Sequence, residues 1–171
     1  VYYHIQDPDK LSRDFCFRIM KKINITTTVK KMLADVHTPV GIYLRLRDRF
    51  RDTILLESAD HHAAENSYSF ICINAIAGIE IKDKNVIELK LPNQNPEKAD
   101  LKGSKDLKNL LWNFMQGFEV QSDDAKSAQF AQGLYGYFTF DAVQFFETVS
   151  FKNGTDLKNK VPLVRYRLYQ Y

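Results

Sequence analysis

Short apolar runs separated by polar turns dominate this chain, and long amphipathic stretches are few. Phe15, Phe17, Ile19, Ile23 and Ile25 recur at mostly even spacing, with Thr26, Thr27 and Thr28 behind them. That period predicts a strand over residues 15–28. Ile54, Leu55 and Leu56 end abruptly in Glu57 and Ser58, which defines a strand over 53–58. Three further strands are predicted over 68–74, 76–82 and 85–91, with a tight turn at Asp83-Lys84-Asn85 between the last two. Together they read as an antiparallel meander, half buried. Residues 1–14 read as an exposed leader, and 59–67 and 92–105 as loops, the latter joining two halves of the domain.

Helical spacing occurs in fewer places. Val29, Leu33 and Val36 mark one side of a short helix over 29–36. Thr38-Pro39 is a stronger start, because a threonine hydroxyl caps free amides and proline sits where no amide is needed. Val40, Tyr43, Leu44 and Arg47 then follow at helical spacing, on a helix expected to cover a sheet. Leu107, Leu110, Leu111, Phe114, Met115 and Phe118 predict an amphipathic helix packed on a sheet, with Trp112 on its flank. Residues 122–131 read as a second polar helix or a loop. Residues 133–141 form a strand carrying Gly133 and Gly136, and glycine within a strand points to a bend or a close backbone approach. Asp141 is placed to cap a helix over 142–149. The stretch from Pro162 to Tyr171 is a last strand without a terminator, expected to be an edge open to further chain or a partner. The fold class is therefore α+β, with antiparallel meander or sandwich-like sheets and a few packed helices, in a single domain over 1–171.

Composition sharpens what this domain does not do. The chain has 171 residues, enough for one domain with a real core. Its net charge is only +3, and its basic residues are interspersed with acids, so neither a stripe nor a block for nucleic acid exists. Twelve Phe and nine Tyr are many, and they suit sheet faces or an interface. No apolar run reaches the roughly 18 residues of a membrane span. Cys16 and Cys72 lie far apart among apolar neighbours, so reduced thiols and a cytoplasmic location are expected.

Catalytic chemistry is hard to find. No Ser-His-Asp order, glycine-rich phosphate loop or Cys-x-x-Cys occurs. Asp60, His61, His62 and Glu65 cluster, but their spacing matches no common zinc pattern. No catalytic, cofactor or metal residue is therefore assigned. A small-molecule pocket is better supported. A carboxylate at Glu57 suits a ligand ammonium, and the Ser58 hydroxyl with strand-end amides suits a ligand carboxylate. Those needs describe an amino acid, and aromatic strands as walls suit an aromatic one. The plain alternative is an ordinary strand end.

Three segments in series decide between these readings. They are Thr38-Pro39-Val40 with Tyr43-Leu44-Arg45-Leu46; Leu55-Leu56-Glu57-Ser58 followed by Tyr68-Ser69-Phe70-Ile71; and Gly133-Leu134-Tyr135-Gly136-Tyr137-Phe138 with Phe140-Asp141. Together they resemble the amino-terminal domain of anthranilate synthase component I, across nearly the whole chain from about residue 26. The resemblance implies a longer parent enzyme whose second, carboxy-terminal domain binds chorismate and Mg2+ and makes anthranilate and pyruvate. It implies a glutamine amidotransferase subunit, component II, as the ammonia source. The first domain is then not catalytic alone and needs no cofactor of its own. It carries part of the site for feedback inhibition by L-tryptophan, lined here by Leu56, Glu57 and Ser58. Pro162 to Tyr171 resembles the family's link into the second domain. One departure stands out: many relatives have Arg immediately before the Tyr-Ser-Phe segment, and this chain has Ser67. Aminodeoxychorismate synthases of folate synthesis share the domain and remain an alternative, as does a non-enzymatic amino-acid-binding or scaffold domain.

Overall fold

A computed structural model describes residues 22–57, 68–82, 86–101, 104–126, 133–149 and 161–171. The expectations for residues 1–21, the 59–67 loop and the 83–85 turn lie outside them, as do Cys16, Ser58, His61, His62 and Ser67. The strands are β1 (Ile23–Thr27), β2 (Ile54–Glu57), β3 (Ser69–Cys72), β4 (Ala75–Ile81), β5 (Val86–Lys90), β6 (Glu97–Asp100), β7 (Phe118–Ser122), β8 (Tyr135–Phe138) and β9 (Val164–Tyr169). Helices α1 (Pro39–Leu46) and α2 (Ser104–Gln116) and a 3-10 helix (Phe140–Phe145) complete the described elements. The architecture is α+β, with mostly antiparallel pairing and few helices, as the period of the sequence predicts.

The centre is a five-stranded antiparallel sheet in the order β6-β5-β4-β9-β8. Strand alternation places Ala77, Ile79, Ile81, Ile87, Leu89, Val164 and Leu168 in one buried cluster. Leu107 and Phe114 of α2 and Ala142 and Phe145 of the 3-10 helix complete that core. Leu107 and Phe114 are seven apart, two helical turns, so both fall on the apolar stripe of α2, while Trp112 stays exposed on its flank. A two-stranded sheet pairs β2 with β3, antiparallel, and a second pairs β1 with β7, parallel.

Several local expectations change. The terminal strand is not an edge: β9 lies between β4 and β8, with Arg165 opposite Glu80 on one side and Tyr137 on the other. Beyond it, Ile73 and Tyr171 exchange backbone hydrogen bonds at 2.8 and 3.3 Å. A strand's own pattern encodes which side chains are buried, not whether both its edges are paired. The expected meander is also split. Asn74 adopts a left-handed φ of 61° between β3 and β4, so β3 stays with β2 while β4 enters the central sheet. Within the expected 92–105 loop, Glu97–Asp100 pairs with β5 as an edge strand; its charged residues hide the strand period and suit an open edge.

Residues 29–36 form no helix, and Leu33 is 91% exposed. A helix that short needs a partner for its apolar side, and none of the described elements supplies it. Thr38 does cap α1, accepting a hydrogen bond from the Gly41 N–H at 3.1 Å. Asp141 caps nothing: it lies inside the 3-10 helix, whose first flanking residue is Thr139. The Thr139 hydroxyl donates instead to the Leu163 carbonyl at 3.1 Å.

The glycine of β8 has a definite reason. A Cβ at Gly136 would lie 1.8 Å from the Arg165 carbonyl oxygen, a backbone atom of the paired strand. At Gly133 the nearest atoms belong to the Tyr135 ring, at 3.1 Å, which can give way. Gly136→Ala should therefore destabilise the domain by at least about 1–3 kcal/mol, the usual range for overpacking. Gly133→Ala should cost clearly less. Urea denaturation of the two variants beside the parent protein tests the contrast, and equal midpoints would refute it.

Candidate functional site

β2 delivers two of the three predicted site residues, Leu56 and Glu57, to the surface. Its aliphatic residues fix its register on β3, with Leu56 opposite Phe70 and Glu57 opposite Ser69. Leu56 is 37% exposed and Glu57 is exposed. Among the described residues the Glu57 carboxylate has no ion-pair or hydrogen-bond partner, so it can meet a cation from outside. Ser58, the third predicted residue, lies outside the described residues.

Aromatic walls stand beside this strand end rather than around it. The rings of Tyr68 and Phe70 are 6.4 Å apart, and those of Phe70 and Tyr135 are 5.7 Å apart. Phe70 and Tyr135 line a cavity of about 620 Å³ bounded by β1, by β3 and by the end of β9. Neither Leu56 nor Glu57 lines it; Ser69, opposite Glu57, does. The structure thus brings the Glu57 carboxylate and Phe70 to the same two-stranded sheet, but not into one enclosed pocket. Within the cavity wall, burial pushes the Cys72 thiol up to about 11 and the Tyr169 phenol up to about 12, so both are neutral and apolar in character near pH 7.

What holds β2 against the domain was not legible in the motifs. Ile54 packs against the buried cluster of Cys72, Ala75 and Tyr169, and α1 lies against both β2 and β3. Two residues before β2, the Asp52 carboxylate lies 3.7 Å from Arg165 and 3.9 Å from Arg167. Both arginines also hold Glu80, which is buried in β4. Arg165 Nε donates to Glu80 Oε2 at 3.0 Å, and Arg167 donates to the same oxygen. Arg167 donates further to the Ile79 carbonyl at 3.3 Å. Lys82 bridges Glu80 and Glu88 at 3.5 Å each. The signal in the sequence is the alternation Arg165-x-Arg167 on a strand facing Glu80, which puts both guanidiniums on one face.

Among the described residues, no group of three or more His, Cys, Asp or Glu is placed to hold a metal ion. Nor is any described helix long and apolar enough to cross a membrane.

With this geometry in hand, the known proteins that the chain is similar to can be compared. No family model matches it. Anthranilate synthase component 1 of Aquifex aeolicus is 28% identical over 143 residues, covering 84% of this chain and 28% of the relative. The protein of the same name from Mycolicibacterium smegmatis is 29% identical over 128 residues, covering 72% of this chain and 22% of the relative. That of Lactococcus lactis is 24% identical over 149 residues, covering 83% and 28%. These similarities support a chorismate-utilising family, the coarser part of what the motifs imply. The chain spans less than a third of the length of these relatives.

The charge cluster sets an acid limit on stability. Burial raises the Glu80 pKa, but the guanidiniums of Arg165 and then Arg167 outweigh it, and the carboxyl lies below its ordinary value of 4.5. A depressed carboxylate contributes stability above its unfolded pKa and loses it as pH falls through the folded one. The parent protein should therefore weaken below about pH 4.5. Glu80→Gln should cost about 3–5 kcal/mol at pH 7 by leaving two guanidiniums to the single carboxylate of Asp52, and should show a shallower acid loss. Urea unfolding at pH 7 and pH 3 measures both; an unchanged pH slope in the variant would overturn the assignment.

Proposed function

We propose that this chain is the amino-terminal domain of an anthranilate synthase component 1 and carries part of a tryptophan feedback-inhibition site at Leu56, Glu57 and Ser58. The observation that carries this reading is the similarity to the Aquifex aeolicus component 1 over 84% of the chain. It is supported by the exposed carboxylate of Glu57 at the end of β2, which has no partner among the described residues. On this reading the chain is a regulatory unit and is not catalytic alone. The complete protein, in the cytoplasm, converts chorismate and ammonia to anthranilate and pyruvate in a carboxy-terminal domain that uses Mg2+. A glutamine amidotransferase, component II, supplies the ammonia.

The chemistry at β2 follows from the exposed position of Glu57. Its carboxylate pairs with the tryptophan ammonium, and Ser58 offers a hydroxyl to the ligand carboxylate. Leu56 contributes apolar surface to the indole. An ion pair at an exposed position contributes at most about 1 kcal/mol, so this surface alone binds weakly. Closure by the second domain removes water and strengthens every polar contact. Tryptophan then favours the arrangement of the two domains in which the chorismate site is closed or misaligned.

Calorimetric titration of L-tryptophan into the full-length protein and into this chain tests the reading. The full-length protein should bind at least about tenfold more tightly than the chain. Glu57→Gln in the full-length protein should weaken binding roughly tenfold or more, the loss expected for one charged hydrogen bond. Ser58→Ala should relax inhibition and largely spare turnover. Full-length protein that binds no tryptophan, or binds and is inhibited equally well in both variants, would refute the site; the first outcome would favour the aminodeoxychorismate relatives.

A further inference from the structure

The charge cluster beneath β2 has a composition that goes beyond ordinary surface pairing. Among the described residues it joins three cations, Lys82, Arg165 and Arg167, to three carboxylates, Asp52, Glu80 and Glu88. The side chain of Glu80 is 4% exposed and that of Arg167 is 11% exposed. One buried carboxylate cannot neutralise two guanidiniums, and a buried charge left uncompensated is costly. Asp52 supplies the second anion. It is also the one carboxylate of the three that does not belong to the central sheet.

The position of Asp52 in the chain turns this charge balance into a mechanical constraint. The turn after α1 is closed by a hydrogen bond from the Thr53 hydroxyl to the Phe50 carbonyl at 2.8 Å. Asp52 sits within that turn at a left-handed φ of 56° and directs its carboxylate to β9. β2 begins two residues later. Displacement of β2 along or away from the sheet would pull Asp52 from the two arginines.

We infer that Asp52 is a positioning residue for the β2 site: held between Arg165 and Arg167, it fixes the start of β2 on the central sheet and so fixes where Leu56 and Glu57 present themselves. The role as anchor rests on the geometry above. Its bearing on tryptophan rests on the proposed function. Asp52 touches no ligand on this reading; it acts through the backbone of β2.

Hydrogen exchange on this chain separates the two claims. Asn tolerates a left-handed φ as Asp does, so Asp52→Asn removes the charge and leaves the turn. Exchange in residues 53–57 should speed up about tenfold in that variant, while β4 and β5 keep their protection. In the parent protein, about 1 M salt should speed exchange at 53–57, because the half-exposed pairs to Asp52 are screened; in Asp52→Asn salt should do little there. Unchanged exchange at 53–57 in Asp52→Asn, or a uniform rise that includes β4 and β5, would each overturn the inference. In the full-length protein, Asp52→Asn should weaken tryptophan binding several-fold. If the parent full-length protein binds no tryptophan, the proposed function falls, and the exchange data still decide the role of Asp52.

Discussion

The structure depends on one carboxylate taken out of water. Glu80 sits in β4, a strand buried on nearly every residue, and its charge has to be answered from the strand beside it. Arg165 and Arg167 do so from β9, and that requirement fixes the register, Glu80 against Arg165 and Gly78 against Arg167. Gly78 is part of the same solution. A Cβ there would lie 2.5 Å from the Arg167 side chain, so the guanidinium reaches Glu80 across a position without a side chain. A slip of β9 by one residue would carry both arginines into the apolar core, and Val164 and Leu168 out of it. A buried ion pair is weak support for stability as such, since an apolar replacement packs at least as well. Here its effect is to make one strand pairing acceptable and others not.

That constraint explains which parts of the fold were legible. Elements that carry their own apolar period were found: β1 beyond residue 22, β2, β4, β5, α1 with its Thr38-Pro39 start, and α2. Elements defined by what lies beside them were not. Glu97–Asp100 has only Ala99 as an apolar residue, so its strand state comes from pairing with β5. The interior place of β9 is set by Glu80 on one side and by the close approach of Gly136 on the other, and neither is visible within Arg165–Tyr169. Residues 29–36 have helical spacing without a surface to pack on among the described residues, and spacing alone does not make a short helix. Gly136 was the exception, because a glycine in a strand points outward to a neighbour, and Arg165 is that neighbour.

The candidate site divides in the same way. Glu57 was legible because an apolar run that stops at an acid defines a place as well as a charge. The aromatic residues were legible as a composition, and the structure sets the Phe70 ring beside those of Tyr68 and Tyr135. Their arrangement was not legible. Leu56 and Phe70 face each other across β2 and β3, while the cavity that Phe70 shares with Tyr135 is lined by neither Leu56 nor Glu57. The Asp52 contact was out of reach for a different reason. It joins positions more than a hundred residues apart through side chains of ordinary surface type, and only the burial of Glu80 and Arg167 gives it weight.

On the proposed reading, the openness of the site is what regulation requires. An inhibitor bound wholly within one rigid domain changes nothing elsewhere, because a ligand with equal affinity for two states shifts no equilibrium. A carboxylate left in water at the end of β2 binds an ammonium feebly until another surface closes over it. The affinity is then earned only in the closed arrangement, and it is this difference between arrangements that inhibition draws on. For that to work the carboxylate must be held at a fixed point while it waits, since a mobile strand end would lose ordering entropy at closure and blunt the difference. The ladder to β3, the packing of Ile54 on Cys72 and Tyr169, and the Asp52 contact with Arg165 and Arg167 together meet that condition. A rigid strand end and an incomplete pocket are two parts of one arrangement: the first keeps the difference in affinity large, and the second ensures that the difference exists.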